Sequence, residues 1–513
     1  MATQVNLLDR VIGWWSPDAG LRRRRARAQL ARAYEGAART DGWRPRRAGA
    51  SANADHAADA PELRNRARAL VQNVPYIARG VQALVSATIG TGIEPRFDGA
   101  DADRLNALWA EWEKVADADA IFDLYGLQAA AYRAMVQDGE VLVRRRTRRP
   151  TDGLPVPLQL QLLEIDWLDS GKNSTSRTSN TSRTSNTIIN GIEYDALGKP
   201  AAYWLFDQHP GDSRGWLSST GKSNRVPAAD IIHLFAPTRP GQGRGITRLA
   251  PVIARTRDLS LYEDAELQRK NLETRLGMVV SGDASAMDTG VPAFGSAVSS
   301  GDASGERKYG DLGVLPSGGI TEVAPGLNMT SIEPKAAGGF VEYCKFNLHL
   351  IAAGLGVPYE ALTGDMVEVN FSSARIRQID FRRDVEQEQW LVLIPRLCER
   401  IAAWFVDAAS LIGKTGNSKR TVDWSTPRWD YVNPAQDVAA DIDAISAGLL
   451  SPSEALRRRG YKPEQVFAEL GKDFERLQSA GALDLMQFLM AKGGGAASAA
   501  AAATAANLSK QGN

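Results

Sequence analysis

The chain has 513 residues, and its 61 Lys and Arg against 60 Asp and Glu leave a formal net charge of +1. That length predicts more than one structural unit, and 43% hydrophobic residues supply an ordinary core. The charge balance excludes a protein that clamps duplex DNA over its whole surface, and two cysteines outside any CxxC pair, Cys344 and Cys398, exclude a disulfide framework or a structural zinc site.

Charge is unevenly placed along the chain. Residues 1–50 hold eleven arginines and four acids, a net +7 centred on Arg22, Arg23, Arg24, Arg25, Arg27 and Arg32. This basic N-terminal arm is expected to touch nucleic acid or an acidic partner, or to be a solvated extension. No apolar segment follows these arginines, so no signal peptide is read. The best membrane candidate, Trp390–Val406, is interrupted by Pro395, Arg396, Glu399 and Arg400. A soluble protein of a reducing compartment, without a membrane partner, is the expectation.

From Pro61 to Ile89 apolar residues recur at threes and fours, predicting a helix that Gly90, Gly92 and Pro95 stop. A second helical stretch, Asp103–Met135, carries Leu105, Leu108, Trp109 and Trp112 on one side. Strands are predicted at Glu140–Arg146, Leu158–Ile165, Ile188–Tyr194, Ala201–Phe206 and Ile231–Phe235. Between them the hexamer Thr175–Asn180 repeats identically at Thr181–Asn186, a polar insertion (170–187) that cannot bury a core.

Ile246–Leu276 is predicted as one long helix, with Pro251 in its opening turn. Its apolar stripe runs through Leu249, Val252, Ile253, Thr256, Leu259, Tyr262 and Glu266, flanked by Arg255, Arg257, Asp258, Asp264, Arg269 and Lys270. So narrow a stripe on a charged helix predicts packing against neighbouring helices, here between subunits. Residues 281–310 are expected to loop out, with short strands near Gly313–Leu315 and Ile320–Val323. A helix from Phe340 to Leu355 ends at Gly356-Val357-Pro358. The loop that follows carries Gly364, Asp365, Met366, Val367, Glu368, Val369 and Asn370. A long helix from Ser372 or Ser373 to Leu411 should bend at Pro395. Asn433-Pro434 and the capping box Ser451–Glu454 open a small helical unit, and the alanine-rich stretch from Gly493 should be disordered.

Catalytic signatures fail one by one. Gly413-Lys414-Thr415 resembles the end of a phosphate-binding loop, but the leading glycine position is Ala408 and no strand precedes it. Glu111, Glu113, Asp117, Asp119 and Asp123 cluster on what reads as a solvated helix face with Lys114. His56, His209, His233 and His349 are isolated, and His233 reads as a core or interface residue. No catalytic residue, cofactor or metal ligand is expected.

The order of features resembles the lambda-like portal protein family of tailed bacteriophages. The resemblance is carried by Leu63–Leu70 with Asn73, Pro75 and Gly90–Ile93, by Gly139–Val143, and by Ile189–Asp195 with Gly198, Pro200, Tyr203 and Trp204. It continues through His233, Arg239–Gly245 and Pro251, then Gly356–Asp365 and Asn370–Arg375. Each segment is weak and their collinearity is specific; the TSRTSN repeat and the tail fall outside it. It implies an α+β, mainly helical portal fold that forms a ring of about twelve subunits. The implied regions are an α/β wing (51–246 and 372–430), a two-helix stem (247–276 and 337–357), a small α/β clip (277–336), a tunnel loop (358–371) and a helical crown (431–490), before a disordered tail (491–513). It also implies a channel for double-stranded DNA at one capsid vertex of the virion, assembled in the bacterial host cytoplasm. The implied partners are the terminase large subunit, a head-completion or adaptor protein, and capsid or scaffold protein. The alternatives are another capsid-associated adaptor or minor capsid protein, or a nucleic-acid-processing enzyme. Asp365 and Glu368, with no basic residue between Leu362 and Phe371, would form an acidic collar that guides DNA without holding it.

Overall fold

The computed structural model describes residues 51–174, 186–212, 222–274, 278–282, 327–331, 338–367, 371–415, 421–427, 429, 434–459, 461 and 463–479. The arm with Arg22–Arg25 and Arg27, the predicted strands at 313–315 and 320–323, most of the insertion, Glu368–Asn370 and the tail lie outside them.

The described residues open on α1 (Ala52–Asn73) and α2 (Pro75–Thr88). The periodicity continues through both, but Pro75 pushes Val74 into an extended conformation (φ −111°, ψ 108°), so the expected single helix is two. Helix α1 also starts before Pro61, at an N-cap where the Ser51 hydroxyl accepts from Ala54 N–H. After β1 (Glu94–Asp98) the second predicted helix is likewise split, into α3 (Ala102–Trp112) and α4 (Leu124–Asp138). Between these helices the buried Asp117 carboxylate accepts backbone N–H groups from Asp119, Ile121 and Phe122, and Asp123 caps α4 at Gly126. Two of the acids assigned to a solvated helix face are therefore backbone staples.

Strands β2 (Glu140–Thr147) and β3 (Leu158–Glu164) pair antiparallel. Ile188–Tyr194, read as one strand, is a hairpin of β4 (Thr187–Ile189) and β5 (Ile192–Tyr194). Its turn residues have positive φ, 49° at Asn190 and 81° at Gly191, the Asn-Gly pair that a tight hairpin of right-handed twist requires. A Cβ on Gly191 would stand 2.5 Å from the Asp169 carbonyl oxygen. Strands β6 (Pro200–Phe206) and β7 (Ser223–Pro227) complete an antiparallel sheet in the order β4-β5-β6-β7, while β8 (Ile231–Phe235) adds to β2 in the order β3-β2-β8. One face of the three-stranded sheet meets the helices; the other packs Leu142, Leu163 and Ile231 against Ile192, Tyr203 and Leu205 of the four-stranded sheet.

Helix α5 spans Ile253–Thr274. It begins later than expected because residues 247–252 are held in turns: Arg248 N–H donates to the Val136 carbonyl at 3.1 Å, and Val252 N–H to that of Leu249 at 2.9 Å. Strands β9 (Met278–Gly282) and β10 (Leu327–Ser331) pair antiparallel across the intervening segment. Helix α6 (Phe340–Leu355) follows, then the one-turn α7 (Tyr359–Thr363). The predicted long helix is α8 (Phe371–Glu388), a π-helix (Gln389–Cys398) and α9 (Glu399–Leu411). The bend expected at Pro395 takes the form of a widened coil, which absorbs the missing N–H without ending the helix. Phe405 on α9 closes an aromatic cluster with Phe97, Trp109 and Trp112, at centroid distances of 4.8 to 5.8 Å. Strand β11 (Thr421–Ser425) returns to pair with β1, and α10 (Pro434–Ser446), α11 (Pro452–Arg458) and α12 (Pro463–Ser479) end the described chain.

Candidate functional site

Helices α5 and α6 pack side by side. The stripe read from the sequence faces inward: Leu249, Val252, Ile253, Thr256 and Leu259 are buried, the apolar ones in one cluster with Leu348, Ile351, Ala352 and Leu355 of α6. Gly354 allows the approach, since a Cβ there would come 2.4 Å from Val252 Cγ1. Tyr262 stacks on Phe340 (5.5 Å) and meets Tyr343 edge-on (4.8 Å), and Glu266 pairs with Arg269 at 2.5 Å. The structure thus places these seven residues against the subunit's own elements. Sequence reasoning missed the opposite side of the pair, where Leu261, Phe346 and Leu350 are exposed; Leu267 and Val341, also exposed, lie at other settings on the two helices. The available signal was α6 itself, apolar around most of its circumference and so in need of cover on more than one face.

Beyond α6, buried Leu362 anchors α7 into the core, so the first part of the predicted 358–371 loop is a helical turn. Tyr359 stacks on His349 of α6 at 4.0 Å. After Gly364, the Asp365 carboxylate accepts from Tyr359 Oη (3.4 Å) and Val367 N–H (3.1 Å) and lies 4.0 Å from Lys345 Nζ. The acid is therefore tied back toward α6, while Met366 and Val367 project, 64% and 86% exposed.

The segments that carried the resemblance converge at a third place. Glu140, at the start of β2 and fully buried, accepts from Arg244 Nη2 (2.7 Å) and Nε (2.8 Å), from Gly245 N–H (2.9 Å) and from His233 Nε2 (2.9 Å). Arg64 of α1 and His56 stand 3.5 and 3.4 Å from the same carboxylate. Burial alone would raise the Glu140 pKa, but the Arg244 charge and these donors outweigh it and hold the group well below the ordinary carboxylate range. His233 is pushed down by burial, against the pull of Glu140, and so sits as a neutral donor. A carboxylate with every lone pair engaged has none left to abstract a proton, and the arrangement locks α1, β2, β8 and the 244–245 turn together. His233 is the core residue expected of it.

Glu164, Asp166 and His209 bring possible ligand atoms within 4.8 Å of one another. A cation already sits there: Arg68 Nη2 is 2.6 Å from Asp166 and 3.4 Å from Glu164. Lys414 Nζ donates to the Pro155 carbonyl at 3.3 Å from the turn that ends α9, which is no place for a phosphate cradle. Among the described residues no helix is long and apolar enough to cross a membrane.

The sequence profile described as phage portal protein, lambda family, matches residues 36–389. A probable portal protein of Halomonas phage phiHAP-1 is 27% identical over 449 residues, covering 84% of this chain and 83% of that protein. Portal protein B of Escherichia phage lambda is 22% identical over 324 residues, covering 57% of this chain and 59% of that protein. Among solved structures, the neck of a native gene transfer agent particle, computed with C12 symmetry, aligns over 79% of this chain and 94% of that one, at 16% identity and a TM-score of 0.42. By class, the profile match and the α+β fold define a phage portal protein, a structural component of the virion. Within that class the chain belongs to the lambda family.

Proposed function

We propose that this portal protein closes into a ring of twelve, the symmetry of the gene transfer agent neck, and that the ring forms the channel for DNA packaging and ejection. One observation carries the closed ring: α5 and α6 already fill their shared seam, yet Leu261 of α5 and Phe346 and Leu350 of α6, set away from that seam by helical spacing, are left exposed. A ring contact is heterologous, one patch of a subunit meeting a different patch of the next, and such a face suits it. Residues 247–276 and 337–357 are assigned to the stem, 51–246 and 372–430 to the wing, 277–336 to the clip and 431–490 to the crown. Leu249, Val252, Ile253, Thr256, Leu259, Tyr262 and Glu266 would then brace the interface from behind.

The 364–370 segment is assigned to the channel wall. With Asp365 drawn toward Lys345, the exposed Met366 and Val367 offer DNA a surface without phosphate-holding charge. Terminase large subunit, a head-completion or adaptor protein, and capsid or scaffold protein are its assigned partners, Arg22–Arg25 and Arg27 its contact to nucleic acid or scaffold, and the host cytoplasm its place of assembly. No chemistry is assigned, so the protein acts as a conduit and a docking platform. Negative-stain images of the purified protein should show rings with a central hole. Phe346→Glu should remove the rings while leaving subunit melting within about 0.5 kcal/mol of the wild type, as a surface substitution does. Intact rings in that variant would overturn the assignment of this face.

A further inference from the structure

A cleft of 820 Å³ opens between the β4-β5 hairpin, the 241–244 turn and the π-helix, a volume suited to a bound ligand. Arg396 and Arg400 line it. Arg396 donates to the Phe235 carbonyl (3.2 Å) and lies over that ring at 4.9 Å; Arg400 donates to the Ala228 carbonyl (3.1 Å) and lies over Trp404 at 5.8 Å. Each guanidinium is thereby fixed with donors to spare, and among the described residues neither has a carboxylate partner. Asp195, the one acid on the lining, is engaged by the backbone N–H groups of Leu197 (2.9 Å) and Lys199 (2.8 Å). The Glu140 charge is already neutralised by Arg244. Tyr203 is only 5% exposed, and its hydroxyl, on the same lining, makes no hydrogen bond among the described residues.

We propose that this cleft binds an acidic peptide segment of another protein, with Arg396 and Arg400 taking its carboxylates and the Tyr203 hydroxyl a further acceptor. Ile189, Pro200, Phe235 and Pro395 add apolar wall between the polar Asn53, Thr187, Asn190 and Gln242, which suits a peptide carrying apolar side chains between its acids better than a bare anion. The chain's own neighbouring stretches do not fit. Residues 1–50, which lead to Asn53 on the lining, are net +7, and residues 175–185, which lead toward Thr187, hold two arginines and no acid.

The test is fluorescence anisotropy on the full chain with a short labelled peptide alternating glutamate with leucine. Arg396→Gln and Arg400→Gln should each weaken binding about tenfold, the worth of one charge-assisted hydrogen bond. Tyr203→Phe, which keeps the ring packing, should weaken it severalfold. The proposal is overturned if a glutamine-leucine peptide binds as tightly, if the arginine double variant binds undiminished, or if stoichiometric inorganic phosphate displaces the peptide. Should the arginine variants melt early, Tyr203→Phe decides alone, and unchanged affinity there sinks the proposal.

Discussion

The Glu140 cluster and the outer side of the α5–α6 pair are opposites. Around Glu140, every charge brought out of water meets a partner, and four segments distant in sequence are fixed by one carboxylate. On the helix pair, Leu261, Phe346 and Leu350 face solvent with the seam behind them already filled. The first region is complete within one subunit. The second is complete only in company, so damage to the two should separate into lost folding and lost assembly.

The largest expected effect is at the first region. Glu140→Ala leaves Arg244 buried without its counter-charge, while Arg64 keeps Asp166, and should cost about 3–5 kcal/mol in urea unfolding. A loss below about 1 kcal/mol would show that water reaches the cluster and that the contrast is false. The pH response sharpens the same point. Both Glu140 and His233 have folded pKa values below their unfolded ones, so each contributes stability above its unfolded pKa that is lost as pH falls. The wild type should therefore lose stability first below about pH 6.5, as the unfolded chain protonates His233, and again below about pH 4.5 through Glu140. His233→Gln, which can still donate to Glu140, should cost about 1 kcal/mol and abolish the first phase only; a profile unchanged by that substitution would mean that His233 takes up its proton equally in the folded and unfolded chain. The smallest effect belongs to the solvent side. Replacing Met366 and Val367 by serine should shift melting by less than about 0.5 kcal/mol while altering DNA passage in a packaging assay, and a large fall in stability would mean that these side chains are covered.

Much of this was legible in the amino-acid order. Strands β2, β3, β6 and β8 and helix α6 lie where the sequence puts them: β3 and β6 through alternation, α6 through periodicity, and β2 and β8 as apolar runs whose residues are buried on both faces of the sheet. The breaks were harder. Apolar spacing runs on through Val74 and across 113–123, and it carries no mark of a Pro75 that turns the chain or an Asp117 that gathers three amides. Asn190-Gly191 did carry its mark, a hairpin turn lying inside what alternation alone reads as one strand. For the candidate site the limit is of another kind. A stripe such as Leu249–Leu259 states that it must be covered but not by what, and only coordinates distinguish a seam inside one subunit from a seam between two. Glu140, Arg244 and Arg64 each lie in a segment that carries the family resemblance, but standing alone there they gave no sign that they meet.

The widened coil at Gln389–Cys398 sets a strict rule for the length of the chain around it. Because a π-turn closes one residue later than an α-turn, the coil takes in extra residues between α8 and α9, and buried Val385 and Phe405 lie on either side of it. Removing a single residue there would turn everything downstream by about 100°, swinging Leu397, Ile401 and Phe405 out and bringing polar neighbours in. A deletion of that size, harmless in a surface loop, would be among the most damaging the molecule could suffer.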